Sequence, residues 1–123
     1  MKKLLLTFFL ISLLTACSDK KLLEPLTEDA TILAFGDSLT HGIGTSRDKS
    51  YPAVLSRLIN RKIVSAGVPG EVSSKGLLRL PALLKQHQPD LLILCHGAND
   101  ILRKKDMTQA KANIQQMIDI ARE

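Results

Sequence analysis

Residues 31–44, "TILAFGDSLTHGIG", decide the fold. Thr31 to Phe35 form an apolar run without alternation, the pattern of a parallel strand covered on both faces. Gly36, Asp37 and Ser38 end the run abruptly, and the chain then turns polar and glycine-rich. A serine set where a strand gives way to a helix exposes its hydroxyl above the sheet, and its own N–H lies close to the helix start. Such a residue can serve both as nucleophile and as oxyanion donor.

Working outward, "LLILC" (Leu91 to Cys95) repeats the strand pattern, and "KIVSA" (Lys62 to Ala66) is a weaker third strand. Helical periodicity separates them. A first helix is expected near Ser50, with Pro52 at an early position and Val54, Leu55, Leu58 and Ile59 as its apolar stripe. A second is expected from Ser73 or Ser74 to Gln86 on a face of Leu77, Leu80, Leu83 and Leu84, with Pro81 kinking it or dividing it in two. A third is expected from Thr108, read as the N-cap, to Ala121, with Ile114, Met117, Ile118 and Ala121 inward. This alternation argues an α/β sandwich with a parallel sheet and right-handed crossovers. In the order 2-1-3 the third strand lies at an edge, and "LLILC" is too apolar to face water there. The expectation is therefore an incomplete sheet, the first half of a larger domain.

Ligands of an open parallel sheet bind beyond the carboxyl ends of its strands. Three loops should converge there: Gly36 to Leu39, Gly67 to Glu71, and His96 to Asp100. Each brings a residue type that acyl chemistry can use. Ser38 offers a hydroxyl and an N–H, Gly70 a backbone N–H that no Cβ obstructs, and Asn99 a side-chain amide. Three donors converging on one developing oxyanion make a complete hole.

The blocks "FGDSLTHG", "AGVPGE" and "HGAND" resemble, in order, the first three of four sequence blocks of the SGNH (GDSL-type) serine hydrolases, in the thioesterase/lysophospholipase and arylesterase-like branch. The likeness extends from about Thr31 to about Ile120. It implies a three-layer α/β/α, flavodoxin-like fold and a serine ester hydrolase acting on acyl esters, thioesters or lysophospholipids. By that resemblance Ser38 is the nucleophile, Gly70 and Asn99 are oxyanion donors with the Ser38 N–H, and Asp37 is a structural companion in the turn. Ser65 and Glu71 stand where asparagine and aspartate are common, departures that touch loop shape more than catalysis.

The family's fourth block, Asp-x-x-His, supplies the general base, and no histidine follows Asn99. His41, three residues after Ser38, lacks an evident carboxylate to orient it. His96 closes the third strand and could approach Ser38, with a structural histidine as the plain alternative. His87 is read as surface. A serine hydrolase without its histidine is close to inactive, so this chain is expected to be a truncated, inactive fragment. The alternative is a non-catalytic, lipid-anchored binding protein on half of the same scaffold.

The remaining classes fall away on composition. The formal charge is +5, falling to +3 without the first 16 residues, and with one tyrosine and no tryptophan there is little to stack on nucleic acid. Two cysteines and three scattered histidines show no metal-ligand spacing. Gly42-Ile43-Gly44 lacks the further glycines of a dinucleotide site. No cofactor is expected, and Cys95 reads as a buried structural thiol.

Lys2 and Lys3 precede an apolar run from Leu4 to Leu14, the layout of a signal peptide and too short to span a bilayer. Leu14-Thr15-Ala16-Cys17 resembles the bacterial lipobox, which implies acylation of Cys17; Ser18 behind it favours the outer membrane, facing the periplasm. The expected organisation is a leader over residues 1–16, a tether over 17–30, and the N-terminal part of the hydrolase domain over 31–123.

Overall fold

The computed structural model describes residues 25–123, so the leader and Cys17 lie outside the described residues. Three parallel strands form one sheet in the order β2-β1-β3. β1 (Thr31–Gly36) is central and pairs with β2 (Lys62–Gly67) from Thr31↔Lys62 and with β3 (Leu91–Cys95) from Ile32↔Leu91. Its residues Ile32 to Gly36 are all buried, which is why the run carries no polar alternation.

Helices cover both faces. α1 (Ser38–His41) and α2 (Tyr51–Ile59) pack on β1 and β2. α3 (Ser73–His87) and α5 (Met107–Arg122) pack on each other, and a short α4 (Ala98–Leu102) follows β3. The core lies between the sheet and the α3/α5 layer. Leu33 and Phe35, alternate residues of β1, meet Leu80 and Met117 there, with Leu77, Leu83, Leu84, Leu92, Leu94 and Ile114 around them. The three-layer α/β/α arrangement agrees with expectation.

One detail is narrowed, since α3 is not divided at Pro81, and two differ. α3 runs unbroken through Pro81, which sits on an exposed position while Leu77 and Leu80 before it and Leu83 and Leu84 after it hold both halves to the core. Packing on either side carries the helix across the hydrogen bond that proline cannot make. The N-cap of α5 is Asp106 rather than Thr108, its Oδ1 accepting from the N–H groups of Thr108 (2.8 Å) and Gln109 (3.1 Å). Leu58, read into the stripe of α2, is 76% exposed. Ser50 is the N-cap of α2 and Pro52 lies in its first turn, as expected, while Val54, Leu55 and Ile59 of the stripe are half-buried.

In the described part of the expected tether, Leu26, Thr27 and Ala30 touch the domain. Arg61 donates to the carbonyls of Leu26 and Thr27 (both 2.8 Å), and Ala30 is buried.

Candidate active site

Ser38 opens α1 at the carboxyl end of β1, capped by Asp37. The buried Asp37 carboxylate accepts from the Leu39 N–H (3.3 Å), which starts the helix and leaves Ser38 partly exposed above the sheet. The Thr40 hydroxyl meets the Tyr51 phenol (3.2 Å), and Ser65 donates to the Thr40 carbonyl (3.2 Å), tying the turn to α2 and β2.

Gly70 lies in the turn Val68-Pro69-Gly70-Glu71, closed by the Glu71 N–H on the Val68 carbonyl (3.2 Å). Proline in the second position and glycine at φ +74° in the third are the requirements of a type II turn. Glycine is needed because that φ is left-handed. Neither the Gly70 nor the Ser38 N–H has an acceptor among the described residues.

Asn99 joins the loops. Its Nδ2 donates to Asp37 Oδ2 (3.1 Å) and to the Glu71 carbonyl (3.0 Å), so one amide connects the loops after all three strands. Asn99 is itself held by its neighbour. The buried Asp100 accepts from the Ser73 N–H and hydroxyl (both 2.8 Å), Asn113 donates to that hydroxyl (2.9 Å), and α4 is thereby locked to α3 and α5. Arg103 donates to the Gly70 carbonyl (2.8 Å) from the exposed side.

None of the histidines makes a hydrogen bond to the Ser38 hydroxyl among the described residues. His41 Nδ1 faces the Gly67 carbonyl (3.2 Å), and the ring lines a cleft of about 390 Å³ with Arg47, Ser50 and Arg57 that does not include Ser38. His96 does have a carboxylate partner: its Nε2 lies 3.1 Å from Glu71 Oε2. Its other nitrogen, Nδ1, accepts from the Gly97 N–H (2.9 Å), and the side chain is wholly enclosed, so the ring is a structural histidine rather than a contributor at Ser38. His87 ends α3, about 20 Å along the axis from the site. Cys95 is a free, half-buried thiol.

A sequence-family model, the GDSL-like Lipase/Acylhydrolase family, matches residues 34–123. The chain belongs to this family. Among relatives of this GDSL-like chain, "Thioesterase 1/protease 1/lysophospholipase L1" of Escherichia coli (strain K12) is 40% identical over 90 residues, covering 72% of this chain and 43% of that protein. "Esterase TesA" of Pseudomonas aeruginosa is 32% identical over 115 residues, covering 89% and 57% respectively. Among solved structures, the SGNH-hydrolase family esterase AlinE4 superposes with TM-score 0.69 at 37% identity, covering 77% of this chain and 54% of that one. The chain thus spans about half the length of the curated relatives it matches.

Sequence reasoning missed the groups that brace this site. Arg79 binds the Glu71 carboxylate through two nitrogens (3.0 Å at Nε) and lies 4.2 Å from the centroid of the Phe35 ring. A signal existed: Arg79 borders the leucine face of α3 and has no acid three or four residues away to pair with. Burial by itself would raise the Glu71 carboxyl. The hydrogen bonds from Arg79 and His96, with the Arg79 charge, outweigh it and hold the group below the ordinary glutamate value.

Proposed function

We propose that this chain carries the nucleophile and oxyanion hole of a serine ester hydrolase acting on acyl esters, thioesters or lysophospholipids. Ser38 Oγ attacks the carbonyl carbon, its proton passes to a base, the bond to the leaving alcohol or thiol breaks, and water later releases the acyl group from Ser38. The oxyanion is held by the N–H groups of Ser38 and Gly70 and by Asn99. The observation that carries this reading is the Asn99 amide bridging the Ser38 and Gly70 loops, whose own Ser38 and Gly70 N–H groups have no acceptor among the described residues. An oxyanion, being charged, displaces the neutral Glu71 carbonyl from Asn99. Losing one such donor costs about 3 kcal/mol of transition-state stabilisation, roughly a hundredfold in rate.

The described residues offer Ser38 no base, which favours low activity in this chain alone. The full chain is expected to hydrolyse p-nitrophenyl acetate no faster than its Ser38→Ala variant. Added imidazole, standing in for the base, is expected to leave an acetyl group on Ser38 that mass spectrometry detects. No adduct would sink the nucleophile assignment. Ser38-dependent turnover without imidazole would return attention to His41. A binding protein without turnover remains the second reading, favoured by the same lack of a base.

Lys2, Lys3, the Leu4 to Leu14 run and Cys17 support a lipid-anchored protein of the bacterial cell envelope. Labelling with a palmitate analogue in a bacterial host is expected to mark the wild type and not Cys17→Ala; equal labelling would refute the anchor.

A further inference from the structure

We infer that Glu71 is a positioning residue: held by Arg79 and His96, it sets the Gly70 turn and the Asn99 amide from beneath. The inference rests on the reading of Gly70 and Asn99 as oxyanion donors.

The Glu71 side chain is 8% exposed, and its carboxylate has donors on two sides. Arg79 approaches with a bidentate fork, and the same guanidinium donates to the Ala66 carbonyl near the end of β2 (3.2 Å) while lying over the Phe35 ring. His96 approaches from the end of β3. Because the Gly97 N–H points at Nδ1, that nitrogen bears a lone pair, so the proton sits on Nε2 and is donated to the carboxylate. The ring stacks on Phe35 with centroids 5.8 Å apart. α3 makes room for it at Gly76, where a Cβ would stand 2.6 Å from His96 Nε2. The carboxylate is thus referenced to the sheet and to α3.

Its backbone carries that placement into the site. The Glu71 N–H closes the turn that presents Gly70, and the Glu71 carbonyl takes one amide hydrogen of Asn99. One residue therefore holds both donors in place against the core before the oxyanion forms. Displacement of a catalytic group by about 1 Å can lower a rate roughly a hundredfold, so a buried clamp behind the loop has a function that an exposed acid would lack.

The test uses the isotope-labelled 123-residue chain and its Glu71→Gln and Glu71→Asp variants, the folded state being checked by circular dichroism. In Glu71→Gln the resonances of the Gly70 N–H and the Asn99 side-chain amide are expected to shift and broaden, the His96 Nε2 proton to exchange faster, and imidazole-assisted acetylation of Ser38 to fall roughly tenfold or more. Glu71→Asp is expected to recover part of each. A lower melting temperature with the Gly70 and Asn99 resonances unmoved would overturn the inference. If Glu71→Gln does not fold, Arg79→Lys, which keeps the charge but loses the fork, is read by the same resonances. If the wild type takes no acetyl group, the reading of the site fails, and the two amide resonances still decide whether Glu71 positions them.

Discussion

At the scale of single residues, the site is built from a few hydrogen bonds that each join distant parts of the chain. Gly70 is needed for its backbone: at φ +74° an alanine is strained, and its Cβ would stand 3.0 Å from Arg103. Gly70→Ala is expected to lower stability by about 1–3 kcal/mol, measured by urea unfolding; no loss would mean that the turn relaxes freely. Glu71 predicts a pH dependence. Its folded value lies below the ordinary one, so its contribution is complete above the unfolded carboxyl range and is lost as pH falls through the depressed value. Melting temperatures of wild type and Glu71→Gln should therefore differ near neutral pH, and the gap should close as pH falls through and below the ordinary carboxyl range. A gap that persists into acid would mean that the charge of Glu71 is not what stabilises the loop. Ser38, Gly70 and Asn99 could be picked out by their place after strands, whereas Arg79 and His96 could not be assigned to Glu71, because 8 and 25 residues of chain separate the partners.

At the scale of elements, local signals were legible where one residue type answers one requirement. Ser50 with Pro52 marks the start of α2; its end at Asn60, left-handed at φ 49°, is seen only in the structure. The start of α5 was placed two residues late, on Thr108, because Thr108 is itself a good cap; Asp106, whose carboxylate meets two N–H groups, is the one used. Asp106→Ala is expected to cost about 1 kcal/mol in thermal unfolding, and Thr108→Ala much less. The reverse order would return the cap to Thr108. Pro81 could not be resolved from pattern alone, since whether a helix survives a missing hydrogen bond depends on what its two halves pack against.

At the scale of the whole molecule, the sheet has an open side. β3 pairs only with β1 among the described residues, and all five of its residues are only partly buried. Leu92 and Leu94 face the α3/α5 core, so Ile93 between them faces the other side, where α1 and α2 pack on β1 and β2. An apolar, half-covered edge strand invites pairing with another chain. Concentration-dependent association is expected in light scattering, and Ile93→Lys should reduce it; association unchanged by the lysine would place the contact elsewhere. Local sequence was enough for the three strands themselves, the apolar faces of α3 and α5, and the three loops that carry Ser38, Gly70 and Asn99, because periodicity and glycine placement act over a few residues. Only the tertiary structure decided that one Asn99 amide joins those loops, that His96 serves Glu71 rather than Ser38, and that Pro81 leaves α3 intact. Each of these depends on which side chains meet across long stretches of chain, and burial leaves each buried polar group with few partners to choose from.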